Sequence, residues 1–354
     1  MNFTNYGGVP PEDDHVILDV SQKYNKSEDV QGYGAPISVN LQKTQSIIDS
    51  PRDYHLVVER FSIPSSTIPA YVYNPAEPGT VSLSYDGSTE SADLVFVPFG
   101  PVTDPASVPF NKGYHVYGIQ DYLVMVNNAL ETALIALKAS TALNPAAIAP
   151  YFKYNPQTEL ISLYAEEAYF DRTLLTPVII SVDTTIINQL PFFVTDYTPA
   201  TQTYEFALNK YDHITEVETI ATVDYLVQSQ QAIGVFAFNP VQKVILISNS
   251  IPVRKAFTQI NSTTGNASEN NSIAILQDFK ISSELNALGQ RKGITYIPRT
   301  KLRLDLLGNV PLRNIDVQAY WSDINDTLYP ITLLPGQQFN LKLSFSRIGG
   351  GMSR

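Results

Sequence analysis

The chain contains no cysteine. Disulfides, zinc–thiolate centres and cysteine nucleophiles are therefore excluded, and the absence fits a reducing compartment. Histidine is scarce. His15, His55, His115 and His213 lie far apart, with no His-x-x-x-His or Glu-x-x-His pair, so local metal-ligand spacing is missing. His55 and His115 are read as structural or surface residues. No nucleophile elbow and no phosphate-cradling loop occurs, because the glycines at Gly7 and Gly349 do not lie between a strand and a helix. No apolar run approaches the roughly 18 residues of a membrane span. The stretch MNFTNYGGVPPEDD has neither a basic region nor an apolar core, so no signal peptide is predicted. Positive charge is also short: 23 Lys and Arg stand against 34 Asp and Glu, a net charge of −11. A protein that coats nucleic acid needs a basic face to displace phosphate counterions. The first 35 residues offer only Lys23 and Lys26, so direct nucleic-acid coating is not expected.

The acidic residues form no convincing catalytic pair. Glu166 and Glu167 are adjacent, and neighbours on a strand point to opposite faces. Asp323 and Asp326 flank the turn SDINDT, which supplies too few oxygens for calcium and reads as turn chemistry. No enzyme activity, cofactor or metal is predicted.

What is abundant favours strands. The 354 residues include 21 Tyr and 16 Phe, and Pro (24) exceeds Gly (18). Such a length suits two domains or one large β domain with an insertion. Residues 1–35 are polar and acidic apart from VILDV, and are read as an extended N-terminal arm. Val16, Ile17, Leu18 and Val20 would anchor that arm on a neighbouring subunit. Alternating runs follow at PISVNLQ and YHLVVERFSIP. TVSLSYDGSTESADLVFVPF predicts a hairpin, with Asp86-Gly87 suited to a tight turn.

One helix stands out. Ile119, Tyr122, Leu123, Val126, Ala129, Leu130, Ala133, Leu134 and Leu137 recur at helical spacing, and NPAAIAP ends the pattern. This stripe is read as packing on a sheet. PYFKYNPQTELISLYAE and GVFAFNPVQKVILISNSIPV then predict two hairpins, each turning at Asn-Pro. Asn261–Ser272 reads as a polar loop, and GGGMSR as a flexible end. Short strands at roughly 8–12-residue spacing predict a sandwich or jelly roll. The expected division is a jelly-roll domain from 36–95 and 255–348, an insertion at 96–254, and a flexible terminus at 349–354.

In the last domain Phe279, Tyr296, Leu304, Val317, Tyr320, Trp321 and Leu343 are the expected packing residues, with Trp321, the sole tryptophan, in the core. Aromatics cluster in the insertion. Tyr151, Phe152, Tyr169 and Phe170 are candidates for exposed recognition of a partner or glycan, or else they fill the insertion's core.

LRLDLLGNVPL, IDVQAYWSD and LYPITLLPGQQFNLKLSF resemble the last strands of the single jelly-roll penton, or minor capsid, proteins of virophages and Polinton-like double-stranded DNA viruses. The middle stretch, YLVMVNNALETAL followed by APYFKYNPQTELISLYAE, is similar to an insertion in such proteins. The resemblance implies a mainly β fold: a single jelly-roll sandwich with an inserted β-rich subdomain containing one main α-helix. It further implies a virion structural protein assembled in the host cytoplasm or nucleus. Five copies would meet at an icosahedral vertex beside the major capsid protein, with the insertion outward. Arg299, Lys301, Arg303 and Arg313 would offer an acidic arm a basic flank. A receptor- or glycan-binding attachment module on a β-sandwich is the alternative.

Overall fold

In this computed structural model the described residues are 15–24, 35–98, 114–234, 237–254, 261–262, 274–280, 294–298, 301–324, 326–333 and 336–348. The first 14 residues, most of the polar loop after Asn261, and the last six residues lie outside them. The chain forms two compact units. One contains the described residues up to Ile68 and from Pro240 onward; the other contains those between Pro69 and Asn239.

The first unit begins with β1 (His15–Lys23), β2 (Ser38–Gln42) and β3 (Tyr54–Ile63). The second unit then intervenes in the chain. It comprises β4 (Tyr71–Tyr73), β5 (Thr80–Tyr85), β6 (Ser88–Asp93), β7 (Tyr114–Val116), α1 (Ile119–Ser140), β8 (Tyr151–Asn155), β9 (Leu160–Glu166), β10 (Ile179–Asp183), β11 (Thr195–Thr198), β12 (Thr203–Phe206), β13 (Thr215–Ile220) and β14 (Val223–Ser229). The first unit resumes with β15 (Lys243–Ser248), β16 (Ala274–Lys280), β17 (Ile294–Tyr296), β18 (Asn314–Ser322) and β19 (Gln338–Arg347).

Eight strands of the first unit form two antiparallel sheets. One has the order β1-β19-β3-β17, and the other has the order β2-β18-β15-β16. Counted along the chain, these orders are first-eighth-third-sixth and second-seventh-fourth-fifth, the interleaving of a jelly roll. Alternation drives it. On β18 Ile315, Val317, Ala319 and Trp321 are buried while the residues between them are half-exposed, the pattern of a strand with one face on a core. Phe61 of β3 meets Phe279 of β16 edge-on at 5.3 Å, and Phe279 stacks on Tyr296 of β17 at 4.0 Å, so side chains from the two sheets interdigitate. Trp321 is 1% exposed and stacks on Tyr329 at 4.3 Å.

In the second unit α1 packs against β5, β6 and β8. Eight of its nine predicted stripe residues are buried, Ile119 being half-buried, and Met125 joins them. The β5–β6 hairpin turns where expected, with φ +49° at Asp86 and +79° at Gly87. β8 and β9 pair as predicted across Asn155–Leu160.

Two expectations are corrected. Residues 69–93 belong to the second unit, not to the jelly roll, because β5 pairs with β10 and β4 with β7. The boundaries therefore fall at Ile68/Pro69 and Asn239/Pro240, not at residues 95 and 254. The hairpin expected over 234–253 does not form: among the described residues only Lys243–Ser248 is a strand. β15 is flanked by β16 and β18 in the jelly-roll sheet, which leaves no edge for a local partner.

Trp321→Ala removes the largest fully buried side chain. We expect a loss of about 3–5 kcal/mol in denaturant unfolding followed by circular dichroism. A loss below about 1 kcal/mol would place the side chain outside the core.

Candidate assembly surfaces

The expected arm is the first strand of the sandwich. β1 pairs with β19 along its length, from His15 opposite Ser346 to Lys23 opposite Gln338. Leu18 lies opposite Leu343 and Val20 opposite Leu341, both partners fully buried, so one face of β1 joins the core and Val20 is buried. Ile17 points the other way and is 59% exposed. The reading of Val16, Ile17, Leu18 and Val20 as an anchor on a neighbour is thus corrected for residues 15–24. The apolar patch VILDV that suggested an anchor pairs within the chain instead.

The outer face of this sheet is laced with charge. Asp19, Lys342 and Arg60 lie in one cross-strand row, and Arg60 Nη2 reaches Asp19 Oδ2 at 3.4 Å. A bulge between Lys342 and Leu343 sets Glu59 apart. Its carboxylate accepts from Ser344 Oγ at 2.8 Å and from Lys301 Nζ at 2.5 Å. Burial would raise the Glu59 carboxyl, but those hydrogen bonds and the charges of Lys301 and Lys342 hold it below its ordinary value. His55 Nδ1 lies 2.6 Å from Asp305 Oδ1. Exposed pairs of this kind contribute little stability but fix a pattern of charge.

Three exposed apolar side chains of the first unit lie in the segment before β18, and Ile17, Ile297, Ile324 and Ile348 are exposed elsewhere in that unit. Leu302 and Leu307 are each 49% exposed and Val310 is 81% exposed, interspersed with the exposed Lys301, Arg303 and Arg313. Arg299 lies outside the described residues. The backbone there is tied down at several points. Leu304 and Asp305 pair with Leu56 and His55 of β3, Leu306 bridges to Val253, and Leu312 bridges to Ile48. Gly308, at φ +84°, makes the turn between them. The basic residues of this segment were marked in the sequence; its exposed apolar residues were not, because its leucines read as strand.

A carboxylate clamps the end of β15 to β18. Asp316 accepts from Ser248 Oγ at 2.8 Å and from the backbone N–H groups of Asn249 at 3.0 Å and Ser250 at 2.6 Å. In return Ser250 Oγ accepts from the Asp316 N–H at 2.7 Å. Burial alone would raise the carboxyl; the hydrogen bonds from Ser250, Asn249 and Ser248 outweigh it and hold it below its ordinary value.

The other predicted packing residues divide. Phe279, Val317 and Leu343 are buried; Tyr296, Leu304 and Tyr320 are half-buried. Tyr320 points away from the inter-sheet core, packs on a small cluster of Ile245, Ile247 and Leu328, and donates to Gln318 Oε1 at 3.0 Å.

Of the recognition candidates, Phe152 (2% exposed) and Phe170 (1%) are core residues of the second unit. Phe152 is edge-on to Phe193 and Phe206 at 5.6 Å. Their assignment to exposed recognition is corrected: Phe152 alternates inward on β8 and Phe170 turns inward from the helical turn Glu167–Phe170, and both fill the core of the second unit. Tyr151 and Tyr169 are half-buried, and the Tyr169 hydroxyl accepts from Asn144 Nδ2 at 2.7 Å. Among the described residues no group of three or more His, Asp or Glu could hold a metal ion. Among the described residues no helix is long and apolar enough to cross a membrane.

An eight-stranded jelly roll is the architecture of viral capsid subunits, and also of lectin domains and cupins. Comparison with known proteins selects among these. Residues 18–347 match the family described as Sputnik minor capsid protein V18/19, and the chain belongs to that family. It is 29% identical over 203 residues to structural protein V19 of Sputnik virophage, covering 55% of this chain and 92% of that protein. It is 31% identical over 163 residues to protein V18 of the same virophage, covering 40% of this chain and 92% of that protein. A chain in the cryo-EM structure of Sputnik virophage superposes with a TM-score of 0.73 at 26% identity, over 95% of this chain and 98% of that one. The mavirus penton protein shares the fold, with a TM-score of 0.60 at 17% identity, over 94% of this chain and 100% of that one.

Asp316→Asn leaves the backbone N–H groups of Asn249 and Ser250 facing a neutral amide. We expect a loss of about 1–3 kcal/mol at pH 7 in chemical denaturation. Because the folded carboxyl is depressed, its contribution is present above the unfolded value and is lost as pH falls through the folded value. The gap between wild type and variant should therefore narrow below about pH 4. A gap that stays constant to pH 2.5 would contradict the clamp.

Proposed function

We propose that this chain is a penton, or minor capsid, subunit of an icosahedral double-stranded DNA virus, and that five copies close around each five-fold vertex. The match to a minor capsid family over residues 18–347 carries the reading. The single jelly roll supports it: a sandwich has two stiff flanks on which copies can abut, and its loops can carry other contacts. The net charge of −11 agrees with a subunit that does not coat the genome. The major capsid protein is the neighbour such a subunit would meet.

The fixed segment bearing Leu302, Leu307 and Val310 is the contact we assign between copies. Its exposed apolar side chains stand on backbone already tied down, so little ordering is lost on binding. The flanking Lys301, Arg303 and Arg313 suit an acidic neighbour such as residues 11–14, Pro-Glu-Asp-Asp, of an adjacent copy. The attachment-module alternative loses support with Phe152 and Phe170 buried.

Light scattering of the purified chain should give about 196 kDa, five times its 39.2 kDa. The double variant Leu307→Asp/Val310→Asp should shift the mass toward monomer with an unchanged circular dichroism spectrum. A wild-type trimer, or a monomer at every concentration, would contradict the reading. An unaltered pentamer in the folded double variant would remove the assigned contact alone.

A further inference from the structure

The second unit contains a four-stranded antiparallel sheet in the order β13-β14-β9-β8. Its inner face supplies core residues: Phe152, Ile161, Leu163, Ala165 and Leu226. Its outer face is aromatic and acidic. One cross-strand row runs Glu216, Val227, Tyr164, Tyr151, and the next runs Glu218, Tyr225, Glu166. Tyr151 and Tyr164 stack at 5.1 Å with their planes 3° apart, and Tyr225 stands edge-on to both at 6.1 and 6.5 Å. Tyr151 and Tyr164 are half-buried and Glu216 and Glu218 are exposed, while Tyr225 and Val227, each 7% exposed, are buried beneath them.

This face carries Glu166, Glu216 and Glu218 against one basic residue, Lys153. Four carboxylates elsewhere in the unit do have cationic partners: Asp196 and Glu205 with Arg172, Glu167 and Asp171 with Lys210. Glu166, Glu216 and Glu218 take part in no ion pair among the described residues. Glu166 accepts only from the Ile148 N–H at 3.0 Å, and Glu218 faces the Tyr164 phenol. The only basic residue of the two outer strands' shared face, Lys153, holds its Nζ 5.9 Å from the centre of the Tyr164 ring. That ring face therefore already receives a cation. Aromatic faces attract guanidinium and ammonium groups through their quadrupole, and guanidinium adds planar stacking and fork-shaped donation to carboxylates.

We infer that the Tyr151–Tyr164–Tyr225 platform with Glu216 and Glu218 is a docking site for an arginine-bearing segment of a partner protein. Guanidinium planes lie on the half-buried Tyr151 and Tyr164 rings, which the buried Tyr225 supports edge-on, and their N–H groups donate to the carboxylates. The platform lies within one sheet of one chain, so it does not depend on the pentamer reading, and failure of either leaves the other standing.

The test titrates the full chain with nona-arginine, nona-lysine and a neutral Gly-Ser nonapeptide at fixed ionic strength, read by isothermal calorimetry. Nona-arginine should bind more tightly than nona-lysine, and the neutral peptide should not bind. Tyr164→Ala should weaken nona-arginine binding about two- to fivefold, the range expected of one exposed cation–π contact. Glu216→Gln/Glu218→Gln should weaken it further. Glu77→Gln/Glu131→Gln removes the same charge from exposed positions outside the platform and should leave affinity unchanged. If that control weakens binding as much as the platform variant, the attraction is only that of an acidic protein. If nona-arginine binds no better than the neutral peptide, the site does not exist. Circular dichroism confirms that each variant is folded, and Tyr164→Phe, which keeps the ring, should retain the affinity that Tyr164→Ala loses.

Discussion

The last strand of the chain is an inner strand of its sheet, and the jelly roll depends on that placement. β19 is hydrogen-bonded along one edge to β1 and along the other to β3. Phe339, Leu341, Leu343 and Phe345, all fully buried, line the core from this one strand. Without it, β1 would have no partner and β3 would keep only the short β17 and the Leu304–Asp305 pair. The pairing joins His15 to Ser346, so the sandwich closes only when both ends of the chain are present. Contacts of such long sequence separation are costly to nucleate. The inserted unit has an internal core of its own and leaves and rejoins the sandwich between β3 and β15.

That arrangement explains why the arm reading gave way. A strand of nine residues with alternating apolar side chains needs a partner edge. β19 supplies one within the same chain, and Arg60 adds a charged contact to Asp19. What β1 leaves outward, Ile17 and Asp19, is a mixed edge face and not an apolar anchor. Leu307 and Val310 are also exposed, and there the backbone is held by strand bridges.

Much of the fold was legible because its signals are local. The stripe from Tyr122 to Leu137 marked α1, and Asp86-Gly87 marked a tight turn. The signals that failed were those decided by distant partners. Lys243–Ser248 is apolar enough to suit either a hairpin or an inner strand, and only its flanking strands decide. The β13–β14 hairpin turns at Ala221 and Thr222, with φ +48° and +76°, residues that carry no turn signal. In YFKYNP, the register alone puts Phe152 inward and Tyr151 outward, so composition could not separate core from surface.

Cryo-EM reconstruction of the virus particle that carries this chain tests the account most directly. The account predicts five copies around each five-fold axis, each with β19 between β1 and β3 and with Leu307 and Val310 against the neighbouring copy. Density for the chain at positions off the five-fold axes, or no density for it in the shell, would contradict that account.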